Sequence, residues 1–80
     1  MQIKLWGTRG CIPTPSKGQT IYGGNTPCVA VRTSDRRQLI LDGGMGLHWL
    51  GKDLLQAGFS SGTGRAYILL THTHWDHIQG

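Results

Sequence analysis

The sequence predicts a small mixed domain, α+β or α/β in class, with mostly antiparallel strands and one helix. Three observations lead there. Residues 28–33 alternate, with Val29 and Val31 on one face and Ala30 and Arg32 on the other, and a polar turn joins them to Gln38–Leu41. Leu47, Leu50, Leu54 and Leu55 recur at helical spacing. Ala66–Leu70 is a near-continuous apolar run, the composition of a strand covered on both faces.

Taken in order, residues 2–6 predict a first strand that ends at Gly7. From Thr8 to Asn25 the chain holds Gly10, Pro13, Pro15, Gly18, Gly23 and Gly24, residues that punctuate rather than propagate. A long loop is expected there, and loops of such length are usually functional or disordered. Cys28–Thr33 and Gln38–Leu41 then pair as an antiparallel hairpin around Asp35-Arg36-Arg37. Asp42-Gly43-Gly44 breaks the sheet pattern. The spacing predicts a helix over 46–57, despite Gly46 and Gly51, with Gly58 suited to its C-terminal end. A polar loop from Ser60 to Gly64 leads into the last strand, Ala66–Leu70.

Size and composition limit what this can be. Eighty residues make one small domain, and thirteen of them are glycines, which lose the most backbone entropy on folding. A chain so short buries only about 60% of the surface its unfolded form exposes. His72, His74 and His77 crowd into the final nine residues, although chain ends fray. Residues 1–80 are therefore expected to be a fragment.

Eight lysines and arginines face four acids, all Asp, for a formal charge of +4. The basic residues are scattered along the chain except for Arg36-Arg37, and no run marks a nucleic-acid-binding module. Cys11 and Cys28 lack both CxxC spacing and the density of a disulfide scaffold, so both are expected reduced. No apolar stretch reaches the roughly 18 residues of a membrane span, and the N-terminus lacks a signal-peptide core. No membrane partner is expected, and the cytoplasm is the expected location. GxGxxG after a strand, GxxxxGK[ST] and zinc-finger spacing are all absent.

The chemistry lies in Thr71-His72-Thr73-His74-Trp75-Asp76-His77. In extended backbone, residues i and i+2 share a side, so His72 and His74 can approach one metal together. Asp76 and His77 fall where the strand gives way to a turn and can swing toward a neighbouring position. Imidazole and carboxylate suit Zn²⁺, and also Mn²⁺ or Fe. Trp75 is expected to pack or shield, and His48 to be an ordinary helical histidine.

This HxHxDH pattern after a strand resembles the first metal-binding motif of the metallo-β-lactamase fold superfamily. The resemblance extends to Gly7-Thr8-Arg9-Gly10, Pro13-Thr14-Pro15, Tyr22-Gly23-Gly24-Asn25-Thr26, Asp42-Gly43-Gly44 and His77-Ile78-Gln79-Gly80. The series is most similar to a bacterial branch related to phosphodiesterases and tRNA 3′-processing nucleases. It implies the N-terminal part of a four-layer αβ/βα sandwich and two divalent metal ions, most often zinc.

By motif position, the resemblance makes His72 and His74 ligands of the first metal, and Asp76 and His77 ligands of the second. Asp76 would also orient a hydroxide bridging the two metals for attack on a phosphodiester. Asp42 would hold a ligand imidazole or the loop from beneath, the alternative being a plain turn-forming Asp. Arg9 and Asn25 stand in loops that would lie beside the substrate, a small phosphodiester or nucleotide-like molecule, with RNA also open. The family completes its centre with later His and Asp ligands that this sequence does not contain. With two protein groups per metal, the 80-residue chain alone is expected to be inactive. Carboxylic ester, thioester or lactam hydrolysis on the same fold is the alternative chemistry, and a non-catalytic fragment with weak metal binding the alternative class.

Overall fold

The computed structural model describes residues 1–10 and 23–80. Most of the predicted Thr8–Asn25 loop, with Cys11, Pro13, Pro15 and Tyr22, lies outside the described residues. The rest is a mixed α+β unit: one four-stranded sheet of order β1-β2-β3-β4 with one helix, α1, against it. The strands are β1 (Gln2–Gly7), β2 (Cys28–Arg32), β3 (Gln38–Leu41) and β4 (Ala66–Leu69), and α1 is Gly46–Gln56. Among the described residues no helix is long and apolar enough to cross a membrane.

The β2–β3 hairpin follows from its alternation. Val29 pairs with Leu41 and Arg32 with Gln38, antiparallel, while β1 adds to the other edge of β2 with Lys4 opposite Ala30. Cys28, Ala30 and Ile40 project to the helix side and are buried. The turn closes through Thr33 N–H to Arg37 O (3.0 Å) and Arg36 N–H to Thr33 O (3.0 Å). Thr33 Oγ1 donates to Asp35 and accepts from Arg37 N–H, so one hydroxyl ties both sides of the turn. Arg36 holds a left-handed backbone, φ 65°, where glycine is the ordinary choice. A side chain there costs about 1 kcal/mol.

Helix α1 buries Gly46, Leu50 and Leu54 on one stripe and ends where expected, with Gly58 left-handed at φ 103°. No side chain of its own caps its start. Instead Thr26 serves from the lead-in to β2, taking Met45 N–H on Oγ1 (2.7 Å) and Gly46 N–H on its carbonyl (3.3 Å). Gly46 permits this seat, because a Cβ would lie 2.7 Å from the Trp6 backbone. Leu50 and Leu54 meet Cys28, Ala30 and Ile40 in one cluster, edged by Trp6, Leu47 and Phe59. Fully burying a leucine such as Leu50 stabilises by about 2 kcal/mol.

The last strand departs from expectation. β4 runs parallel to β3, Gln38 opposite Ala66 and Leu41 opposite Leu69. Its apolar run predicts cover on both faces, yet Tyr67, Ile68, Leu69 and Leu70 are 50–58% exposed. Helix α1 packs over β1 and β2, and β4 stands at the sheet edge beyond its reach. On the face away from the helix, Ile3 and Leu5 are exposed as well. By register they share that face with Val29, Val31, Leu39 and Leu41.

Candidate functional site

The histidine segment leaves the sheet at Leu70, bends at Thr71, is extended at His74 (φ −62°, ψ 146°), and tightens into a single 3-10 turn over Trp75–His77. His77 N–H closes that turn on His74 O at 2.9 Å. The extended stretch keeps His72 and His74 on one side as predicted, their rings edge to face with centroids 4.6 Å apart. The turn then carries His77 back beneath them, its ring centroid 4.0 Å from that of His72.

Asp42 organises this cluster from the end of β3. Its backbone is left-handed, φ 64°, and its N–H donates to Leu69 O at 2.9 Å, extending the β3–β4 ladder by one step. Aspartate tolerates that conformation better than most residues. The reversal sends the carboxylate toward the segment after β4. There Oδ1 accepts Thr71 N–H (2.8 Å), and the Thr71 hydroxyl lies 3.0 Å from both oxygens. His77 Nδ1 stands 3.0 Å from Oδ2, close but off the line of an ideal hydrogen bond. Burial pushes the Asp42 pKa upward. The hydrogen bonds from Thr71, with the His77 imidazole close by, outweigh it and hold the carboxyl below its ordinary value.

Hydrogen-bond bookkeeping then assigns the imidazoles. The Thr71 hydroxyl has one proton, and Asp42 takes it. Toward His72 Nδ1, 2.8 Å away, Thr71 is therefore the acceptor, and His72 carries its proton on Nδ1. The Asp42 carboxylate favours the same tautomer in His77. His72 thus keeps Nε2 as a lone-pair donor, oriented through Thr71, while His77 Nε2 faces a carboxylate oxygen of Asp76 at 3.3 Å.

These residues fit a divalent metal in part. His77 Nε2 lies 3.3 Å from Asp76 Oδ2. Two ligands about 2.0–2.1 Å from one tetrahedral zinc lie roughly 3.3 Å from each other. The separation of Asp76 and His77 is one that two ligands of one ion and a plain imidazole–carboxylate pair share. His72 and His74 gather beside them without converging. Among the described residues, no group of three or more His, Cys, Asp or Glu side chains is arranged to hold a metal.

The glycines after Asp42 fasten the loop. Gly43 N–H donates to His77 O (2.7 Å), and Gly80 N–H returns to Gly43 O (2.7 Å). At Gly44 a Cβ would lie 2.6 Å from the carbonyl oxygens of both Asp76 and Pro27. Thr26 joins in, accepting Gln79 Nε2 on Oγ1 at 3.0 Å. Thr26, Thr71, Gly43, Gly44 and Gln79 thus hold the site in roles the sequence reading did not give them. Their partners are up to 53 residues away, and only the turn residues Gly43-Gly44 carried a local signal.

Other expectations fare differently. Arg9 and Asn25 are joined to each other, Arg9 N–H donating to Asn25 O at 2.9 Å. Trp75 is 69% exposed, on the outer side of the 3-10 turn that places His77 inward. His48 is exposed on α1 with its ring against Trp49, as an ordinary helical histidine would be. No protein-family model, curated protein or solved structure matches the chain.

Proposed function

We propose that the chain carries the first ligand loop of a metal-dependent hydrolase of the metallo-β-lactamase fold. A small phosphodiester or nucleotide-like molecule is its substrate, with RNA in the same chemical class. His72 and His74 would hold one divalent ion, and Asp76 and His77 a second, with zinc first choice and manganese or iron after it. When bound, such ions supply Lewis acidity and lower the pKa of water. The chain's own part is positional. Asp42 and Thr71 would hold the imidazoles of His77 and His72 in place, and Asp76 would present a carboxylate oxygen beside His77.

The observation that carries this reading is the Asp76–His77 pair at 3.3 Å, with His77 backed by a buried carboxylate. The open apolar face of the sheet supports the sandwich, since a further layer would lie there. The free, buried thiol of Cys28 suits a reducing compartment such as the cytoplasm. A second reading, weak metal binding without catalysis, is favoured by the lack of a three-donor group among the described residues.

Cobalt titration followed by visible absorption tests the proposal. A tetrahedral-type band is expected in the parent, abolished in His77→Ala and needing about tenfold more cobalt in Thr71→Val. A spectrum indifferent to both substitutions would sink the metal site. Steady hydrolysis of bis(p-nitrophenyl) phosphate by the chain, lost in His74→Ala, would overturn the second reading. The 80 residues alone, offering two donors per ion where a catalytic zinc has three, should give no steady turnover.

A further inference from the structure

Folding gathers charge that the sequence scatters. At the end of the sheet where β2 stops and β3 and β4 begin, a cavity of about 690 Å³ is lined by Arg32, Arg36, Arg37 and Arg65 together with Phe59 and Tyr67. Half of the chain's eight basic residues thus meet in one place. Arg65 precedes β4 and the histidines follow it, so the strand separates this cavity from the candidate metal loop.

The charge there is poorly compensated. Arg37 pairs with Asp35 at 3.0 Å. Among the described residues, no carboxylate lies within ion-pair distance of Arg32, Arg36 or Arg65. Two lysines are engaged elsewhere, Lys4 over the Trp6 ring at 4.1 Å and Lys52 over the Trp49 ring at 5.0 Å. Arg36 occupies a backbone position that glycine fills without strain, φ 65°. A hairpin turn takes a left-handed residue as a matter of geometry, and here that residue carries a guanidinium.

The lining chemistry selects a ligand. Guanidinium forks recognise phosphate oxygens bidentately, and several together match a polyphosphate better than a single anion. Aromatic rings offer stacking surfaces for a base. Phe59 is held for this: a Cβ on Gly64 would lie 2.5 Å from its ring, so the ring rests on a bare backbone. The volume falls within the range of small-ligand sites. A nucleic-acid strand would need basic charge continuing beyond the cavity, and Lys4 and Lys52 are committed to tryptophans instead.

We propose that this cavity binds a nucleoside di- or triphosphate, its phosphates among Arg32, Arg36 and Arg65 and its base against Phe59. The site is independent of the hydrolase reading and stands whether or not the metal loop is catalytic.

Titration of the chain with a fluorescent ADP analogue, without added metal, tests it. Saturable binding is expected, weakened about tenfold or more by Arg36→Gly and by Arg65→Ala. Arg36→Gly is the decisive variant, because it removes a guanidinium while relaxing the backbone. Its melting temperature should equal or exceed the parent's, separating lost binding from lost folding. Phe59→Leu should weaken the ADP analogue and leave inorganic tripolyphosphate unchanged. Binding that survives both arginine substitutions overturns the proposal. So does a single-stranded RNA of about 12 nucleotides that displaces ADP at lower concentration than ADP itself requires, since it reassigns the arginines to a strand backbone.

Discussion

Asp42 shows how one residue serves two ends. Its left-handed backbone stops β3 from continuing, and the same reversal turns its carboxylate toward Thr71 and His77. Turn-former and holder of an imidazole were competing descriptions of this residue; the geometry joins them, since the turn aims the carboxylate at Thr71 and His77. Cys28, next door in the core, is fully buried. Burial first, and then the nearby Asp42 charge, push its thiol from 9.0 up to about 11. Because the folded value is the higher one, the neutral thiol contributes stability fully below pH 9. That contribution declines as the unfolded chain ionises and is lost as pH passes about 11. Iodoacetamide at pH 8 should therefore leave Cys28 unmodified in the folded chain and alkylate it in urea, read by peptide mass mapping. Labelling of Cys28 at equal rates in both conditions would contradict its burial. At this scale the ligand residues were legible, because HxHxDH is a local pattern. Thr71 was not, since its partner Asp42 is 29 residues away.

Among the elements, the hairpin and the helix were legible because each carries its own period. β3 covers Gln38–Leu41 as its alternation requires, and α1 stops at Gln56, one residue before its predicted limit. The cap of α1 was illegible, since Thr26 belongs to another segment. The linking element is Asp42-Gly43-Gly44, which meets β4, the 3-10 turn, the residue before β2 and the end of the described chain. Gly44 is its tightest point. Alanine there would press its Cβ on two carbonyl oxygens, backbone atoms that cannot rotate away. Gly44→Ala should destabilise by about 1–3 kcal/mol. In a chain of this size each kcal/mol lowers the melting temperature by about 4–8 °C. Gly51→Ala is the matched control: it has open space around it and a helical setting, so it should stabilise slightly. Equal melting temperatures for the two variants would refute the packing account.

For the whole molecule, the sheet is one-sided. Helix α1 covers part of one face, and the opposite face leaves Ile3, Leu5, Tyr67 and Leu69 exposed. Contiguous apolar area of this kind binds hydrophobic dyes and other apolar surfaces. Native protein should enhance anilinonaphthalene sulfonate fluorescence, and Leu5→Lys with Leu69→Lys should reduce it while the circular dichroism of the fold persists. A native state that leaves the dye dark would argue against an open face. The apolar composition of β4 was readable, but its cover was not, because cover depends on which elements reach the sheet edge. The arginine cavity was hidden for a related reason: only the parallel β3–β4 register brings Arg65 alongside the β2–β3 turn. The bonds between Gly43 and both His77 and Gly80 have a consequence for affinity. They order the backbone of the turn carrying Asp76 and His77 within the fold itself, so an ion bound as proposed would not have to immobilise it. Preorganisation of that sort lets coordination energy appear as binding rather than being consumed in arranging the chain.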